Sequence, residues 1–525
     1  MPDTSNAKSD VHGAKRFLSG VLWNWAGIGV QLFAGIVISP YVIRKLGTER
    51  YGIWALVFSL TSYYGFLDLG FRSAVVRFSA HFYTRGEDDK INELINTTFF
   101  YFSFASVALV GITLVLWRHA HDFFTVPVEL RGEFSWLVLI VGFSIAAGLN
   151  MSVFSAVVEG FQRFDVYNRI RIVISGVRAA GWFTLLATGY GLVAMGSWTL
   201  AMNIVFFLLY LLYMRRIFAP LQFSPRWIKL SMFKQTVSYG IHTFIASLGT
   251  QSLEQTPSLL IGYFRNTTEV GFFNFPLRMI QYVANGITNV GMVVLPRSTE
   301  LAARGELKRV AKLGIYANRY CLALFMPMAV FLMVYGHELL SVWVTPEFAP
   351  RVFPLILPFL VGFGLAQASQ FCTGSILFGL GKQQGYARAV LAEAVLSIVL
   401  MVLLVPKHGI LAAAVVSAVL MIVTRGVISP WLLCQQLTFP FAQYMRSILV
   451  SPVVSALPVS VVLVLLKQGG LAGKSWSELI LVGAITCLVY GATAYYACVE
   501  RDHRQVVLDW TAQRAGRLLR QEPRS

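Results

Sequence analysis

Charge is what this 525-residue chain has least of: Asp, Glu, Lys and Arg together make up 13% of it, about half the share in a soluble domain. Acid is scarcer still, with 25 Asp and Glu against 43 Lys and Arg. Long polar stretches are missing too. The longest connecting stretch is Met214–Thr236, so no soluble domain fits between the apolar runs. The five cysteines, Cys321, Cys372, Cys434, Cys487 and Cys498, show no paired short spacing. They read as small apolar packers and exclude a disulfide scaffold. His119, His121 and Asp122 lack a clear third ligand spacing, so no metal site is expected. No glycine-rich phosphate loop appears, which argues against an ATP-driven pump, and no cofactor is expected. The first seventeen residues lack an apolar core ending in a small-residue cleavage site, so the first helix is expected to stay as an anchor.

Apolar residues fill the space that charge leaves, at 56%. Fourteen runs approach the length of about 20 residues that a helix needs to cross a bilayer. The first is Leu18–Ile43, the second Ile53–Val76 and the last Leu479–Cys498. With the amino terminus in the cytoplasm, 27 of the 43 Lys and Arg fall on the inner side and 10 on the outer, as the positive-inside rule requires. The net charge of +18 is thus placed against anionic head groups. Nucleic acid is excluded as a partner, since no basic domain stands clear of the membrane.

The chain repeats. Gly160, Arg163, Tyr167 and Arg169 recur as Gly379, Lys382, Tyr386 and Arg388, an offset of 219 residues at each position. Gly52 and Gly271 share that offset, as do Tyr63 and Tyr282. An even number of helices per repeat points both halves the same way across the bilayer. The expected fold is an all-α polytopic membrane protein with about fourteen transmembrane helices. Two six-helix bundles, residues 1–217 and 218–440, are expected to be related by a pseudo-two-fold axis along the membrane normal, an architecture of transporters. Two further helices fill 441–498. A basic tail, 499–525, has Val507, Trp510 and Leu518 at helical spacing, the pattern of an amphipathic helix on the inner surface or of a simple solvated tail.

The stretch from Lys45-Leu46-Gly47-Thr48-Glu49-Arg50-Tyr51-Gly52 to Phe66-Leu67-Asp68-Leu69-Gly70 resembles the opening of the polysaccharide-transport flippases of the multidrug/oligosaccharidyl-lipid/polysaccharide exporter superfamily. Leu260-Ile261-Gly262-Tyr263 through Gly271 looks like the matching turn of the second half. Leu340-Ser341-Val342-Trp343 and Ser375-Ile376-Leu377-Phe378 are similar to later family stretches. The likeness covers helices one to twelve. It implies a flippase, not an enzyme, moving an undecaprenyl-diphosphate-linked oligosaccharide by alternating access. A bacterial plasma membrane, with both termini cytoplasmic, goes with it. So do H+ or Na+ as a coupling ion and a polysaccharide polymerase and glycosyltransferases as partners. Where the family often carries an acid in helix seven, this chain has Gln255-Thr256-Pro257, with Glu254 beside them.

The embedded charges lead to a similar cargo from chemistry alone. A diphosphate-linked glycan needs a wide, polar, cationic cavity, and an Arg inside a helix needs a partner or water. The candidates for the cationic cavity are Arg178, Arg278, Arg425 and Arg72. Arg178 lies about 12 Å deep, too far to snorkel, at about 1.5 Å per residue. Arg171 and Arg319, near the cytoplasmic ends, are expected to snorkel. Arg278 is placed to pair with Glu254, and Arg425 with Glu393, either as structural ion pairs or as gates or coupling sites. Asp68 and Arg72, four apart, are expected to form a local side-chain pair. Asn24, Gln251, Asn285 and Asn289 add polar groups that serve either a cavity or helix–helix hydrogen bonds. His242 reads as structural. Three other readings remain: an ion-coupled multidrug or toxin antiporter of the same superfamily, which would favour acids in its cavity; a flippase for the peptidoglycan precursor, another diphosphate lipid; and a membrane glycosyltransferase or polysaccharide polymerase, which would need a sizeable outside loop.

Overall fold

Long apolar runs become helices in a membrane because only a helix satisfies its own backbone polar groups there. The computed structural model describes residues 37–287, 289–500 and 502–505. Asn24 lies outside the described residues, as do the side chains of Asn285, Asn289 and His242 and the tail positions Val507, Trp510 and Leu518. Helix accounts for 88% of the structure, and no strand forms among the described residues. Helical residues coincide with every expected span from the second to the fourteenth. Among the described residues, nine helical segments are long and apolar enough to cross a membrane. One of them, Gln383–Leu437, contains two expected spans joined at Gly409, whose φ of 66° makes the turn.

The chain divides into two compact units, one of residues 1–275 with 397–413 and one of 276–396 with 414–525. These units are drawn by packing, whereas the 1–217 and 218–440 halves are drawn by sequence repetition.

The first unit holds α1 (37–46), α2 (Thr48–Ser62), α3 (Phe71–Arg85), α4 (Asp88–Phe123), α5 (Arg131–Gly160), α6 (Phe164–Ala187), α7 (Leu192–Ile217) and α8 (Leu230–Phe264). Helix α5 is its centre and packs on α3, α4 and α7 around Phe71, Phe102, Phe154 and Tyr210. The second expected span is not one helix. A 3-10 turn, Tyr63–Asp68, separates α2 from α3, and both Leu69 (φ 47°) and Gly70 (φ 74°) are left-handed. Gly70 is required twice over, since a Cβ there would also strike the backbone of Gly240 on α8. The break frees backbone groups that must be re-satisfied. Tyr101 donates to the Leu67 carbonyl at 2.9 Å, Gln251 to the Ser62 carbonyl at 3.1 Å, and the Asp68 carboxylate accepts the Arg72 N–H at 3.2 Å.

The connection between α7 and α8 is shorter than the sequence suggests, running over residues 218–229, and it is tied down. Asn92 and Asn96, one turn apart on α4, donate to the carbonyls of Pro220 and Gln222 and accept the N–H groups of Gln222 and Ser224. Thr97 accepts the Lys229 N–H at 3.0 Å.

At the first turns of α2 and α9 (Thr267–Ile287), two backbones touch. A Cβ on Gly52 would strike the Thr267 carbonyl, and one on Gly271 would come within 2.7 Å of the Thr48 carbonyl oxygen. Thr48 and Thr267, like Gly52 and Gly271, are 219 residues apart. The contact is therefore reciprocal, as in an isologous interface.

The second unit contains the rest of α9, α10 (Asn289–Ala303), α11 (Leu307–Trp343), α12 (Ala349–Gly362), α13 (Phe371–Gly379), both ends of α14 (Gln383–Met421), α15 (Ser429–Leu437), α16 (Phe441–Gln468) and α17 (Trp476–Ala497). Helices α16 and α17 pack on α11 through Val330, Tyr335, Val459, Leu463 and Val482. Arg319 is more than a snorkelling residue, because it donates to the Ser447 carbonyl at 2.7 Å and so ties α11 to α16.

The repeat is also legible in three dimensions. A Cβ on Gly160 would meet Ser79 and the Val76 carbonyl in the first unit. One on Gly379 would meet Ser298 and the Leu295 carbonyl in the second. All three positions are displaced by 219 residues.

Candidate functional site

The charged groups inside the helices fall into three clusters. The first surrounds Arg72 in the first unit. Its guanidinium donates to Glu159 Oε2 at 2.7 Å, to Ser155 Oγ at 2.8 Å and to the Tyr167 hydroxyl at 3.2 Å. The expected side-chain pair with Asp68 is not made. An i,i+4 pair needs a continuous helix, and the break at Leu69–Gly70 takes Asp68 out of the helix that carries Arg72. Asp68 instead accepts the backbone N–H of Arg72, the second residue of α3.

The second cluster surrounds Arg178 on α6. Among the described residues its guanidinium has no carboxylate or hydrogen-bond partner, and it lies over the Trp182 ring, 6.0 Å from the centroid. The ring is held in place. Its indole N–H donates to Thr199 Oγ1 at 3.1 Å and the Met195 carbonyl at 3.2 Å on α7, and Trp54 meets it edge-on at 5.4 Å. A guanidinium held by an aromatic face and no acid keeps its five donors for an anion.

The third cluster is in the second unit. Arg425 Nε lies 3.3 Å from Glu393 Oε2, and Arg425 Nη1 donates to Gln367 Oε1 at 2.8 Å. Thr424 donates to the same Glu393 oxygen at 2.6 Å. Glu393 is 2% exposed and Arg425 18%. Both Gln367 and Arg425 sit on π-helical segments, Phe363–Ala368 and Ile422–Ile428, that pack on one another. Gly426 permits the approach, since a Cβ there would lie 3.2 Å from the Leu365 carbonyl oxygen. Such bulges recur at functional sites because the extra residue re-aims side chains.

The remaining candidates are dispersed. Arg278 donates to Gln281, one turn along its own helix, at 3.2 Å. Its expected partner Glu254 belongs to the other unit and has an exposed side chain. Gln251 serves the Ser62 carbonyl, as the helix–helix reading has it. No group of three or more His, Cys, Asp or Glu is placed to hold a metal among the described residues.

Residues 17–302 match the model of a family described as polysaccharide biosynthesis protein. The chain belongs to that family. Its curated relatives include a putative O-antigen transporter of Shigella flexneri, 20% identical over 75% of this chain and 92% of the relative. A probable low-salt glycan biosynthesis flippase, Agl15 of Haloferax volcanii, is 22% identical over 75% of this chain and 78% of its own length. Among solved structures, the lipid II flippase MurJ in an inward closed conformation superposes with a TM-score of 0.68 at 12% identity, covering 91% of this chain and 99% of that one. An inward-facing multidrug resistance MATE transporter gives 0.60 at 14% identity over 78% and 94%. The chain is thus a multi-pass membrane protein with the fold that those transporters share.

Sequence reasoning missed several residues in this family member's clusters. Glu159 lies one residue beyond the fourth expected span, Phe134–Val158, and so falls outside the embedded candidates. Tyr167 was noted as a repeat position, and its partnership with Arg72 was not read from it. Gln367 and Thr424 carry no charge, and only proximity to Arg425 and Glu393 marks them.

Proposed function

We propose that this protein is a flippase for an undecaprenyl-diphosphate-linked oligosaccharide, carrying an O-antigen, exopolysaccharide or capsule repeat unit from the cytoplasmic to the outer leaflet. The observation that carries the proposal is Arg178, an embedded guanidinium that no described acid neutralises and an oriented tryptophan ring holds. An unneutralised cation within a membrane-spanning helix suits a cargo that brings its own negative charge. The printed roles of the relatives, an O-antigen transporter and a glycan flippase, agree with this cargo.

In this reading the protein transports and does no covalent chemistry. It resides in a bacterial inner membrane with fourteen helices and both termini cytoplasmic. Its two repeat halves, 1–217 and 218–440, alternate access to the two leaflets. Arg178 binds the diphosphate and Arg278 adds to the positive field along the route, while Arg72 and Arg425, paired with Glu159 and Glu393, contribute guanidinium donors to the same route. Gln251, Asn24, Asn285 and Asn289 are polar groups of the same route, and Glu254, Glu393 and Asp68 are the acids available for coupling to H+ or Na+. A polymerase and glycosyltransferases act before and after it.

The multidrug antiporter is the second reading, favoured by the likeness to a MATE fold. Reconstituted translocation of a fluorescent undecaprenyl-diphosphate oligosaccharide separates the two. Wild type should move it and Arg178→Ala should not, with both variants folded. A wild type that moves no such lipid but expels cationic dyes against a proton or sodium gradient refutes the flippase reading.

A further inference from the structure

Beside the third cluster, wholly within the second unit, lies a cavity of about 290 Å³. Its wall includes Gln367, Gln370, Ser375, Phe378, Tyr386 and Arg425. We propose that this cavity is a subsite for one uncharged sugar ring of the transported glycan, a specificity pocket separate from the cationic group that takes the diphosphate. It rests on the flippase reading for its place in transport, but its chemistry is argued from the cavity alone.

Charge comes first. Arg425 does not make this a phosphate site, because its Nε is engaged by Glu393 and its Nη1 by Gln367. The buried Glu393 carboxylate behind it cancels its charge and would repel a second anion in a medium that screens poorly. A metal ion is no better served, because the Glu393 and Gln367 oxygens already accept from Arg425 and Thr424. The wall therefore combines apolar surface with polar groups that carry no net charge.

Its hydrogen-bonding capacity is open in both directions. Gln370 is 5% exposed, and its amide nitrogen, with two N–H groups to place, finds only the Met445 sulfur at 3.4 Å. A thioether is a weak acceptor. The repeat gives a direct comparison for Tyr386. Its counterpart in the first unit, Tyr167, has its hydroxyl occupied by Arg72 at 3.2 Å. No described residue hydrogen-bonds the Tyr386 hydroxyl, which leaves it to a ligand. Sugar hydroxyls both donate and accept, and so match amide, phenol and serine together. Phe378 and the Tyr386 ring supply flat faces for the apolar side of a pyranose. The volume stands at the lower end of small-molecule sites and suits a single ring.

The test is saturation-transfer NMR on the full-length chain in lipid nanodiscs. The probes are methyl glycosides of a neutral hexose, an N-acetylhexosamine and a hexuronic acid, with inorganic diphosphate as competitor. At least one neutral glycoside should bind, diphosphate should not displace it, and the uronic acid should bind more weakly. Gln370→Leu and Tyr386→Leu should each weaken binding by about tenfold, the scale of one or two lost hydrogen bonds. Leu488→Ala, at an exposed position on α17 outside the cavity wall, should leave it unchanged. If either Leu variant fails to fold, Gln370→Asn and Tyr386→Phe take its place. Binding by no glycoside, displacement by diphosphate, or wild-type binding in the cavity variants overturns the proposal. The translocation assay is scored separately. Glycoside binding without transport sinks the flippase reading and leaves the sugar site, whereas transport without glycoside binding sinks only the subsite.

Discussion

Adding one methyl group where α2 meets α9 should upset the protein more than its size suggests. In Gly52→Ala the new Cβ would strike the Thr267 carbonyl, and in Gly271→Ala it would lie 2.7 Å from the Thr48 carbonyl oxygen. Overpacking a well-filled site costs about 1–3 kcal/mol. Here the obstacle is backbone on both sides and no rotamer can relieve it, so the upper part of that range applies. If the crossing is made in only one state of a transport cycle, about 3 kcal/mol shifts the balance of states by roughly 150-fold. The shift can be read by electron–electron resonance between spin labels at Glu49→Cys and Thr268→Cys, which flank the contact, in a background freed of native cysteines. Gly52→Ala and Gly271→Ala should each broaden or lengthen the distance. The double variant should cost less than the sum of the two, since one separation relieves both clashes. If the contact persists through the whole cycle, the cost appears as lost thermal stability with unchanged distances. Either single variant with wild-type distances, stability and transport would refute the close backbone contact.

Other predictions follow from the three clusters. Arg425→Ala strands the buried Glu393 carboxylate and should destabilise the protein by about 3–5 kcal/mol; thermal unfolding of Arg425→Ala, Glu393→Ala and the double variant measures it, and strictly additive losses would deny the coupling. Arg72 and Glu159 are each partly exposed, so their double-mutant cycle should give a coupling of only about 1 kcal/mol. The same cycle between Arg72→Ala and Asp68→Ala should give a smaller coupling, because Asp68 hydrogen-bonds only the Arg72 backbone N–H and reaches the guanidinium through space alone. Asp68→Ala alone should lose about 1 kcal/mol, the usual net worth of one hydrogen bond. Arg178→Gln should slow translocation of a diphosphate lipid by roughly ten- to a hundredfold, the scale of lost hydrogen bonds to a charged group, without lowering the unfolding temperature; an unchanged rate would remove Arg178 from the binding route.

Hydropathy made the helices legible because a spanning helix must be long and apolar whatever its partners. The repeat was legible for a related reason. Gly160 and Gly379 each admit a neighbouring helix at Ser79 and Ser298, and a close approach leaves a glycine that a sequence comparison can find. The interruption at Leu69–Gly70 was not legible. Leu69 is as apolar as its neighbours, and a left-handed backbone leaves no mark on composition. That one break also misdirected the Asp68–Arg72 pairing, since the reading assumed an unbroken helix. The π segments were hidden in the same way. Their consequence, Gln367 within reach of Arg425, depends on one extra residue per turn and not on polarity. The Glu393–Arg425 contact was readable because an embedded Arg needs a partner or water, and Glu393 is an acid at similar depth on the preceding expected span.

The splint that Asn92, Asn96 and Thr97 form for residues 218–229 bears on how the protein is made. A chain emerges from the ribosome amino-terminal end first. Helix α8 packs on α2, α3 and α4, all of which precede it, and its approach is fixed by side chains of α4. It can therefore settle before any later residue exists. Helix α8 is thus built into the first structural unit during synthesis, while the part of that unit contributed by residues 397–413 can join only after the intervening helices have been made.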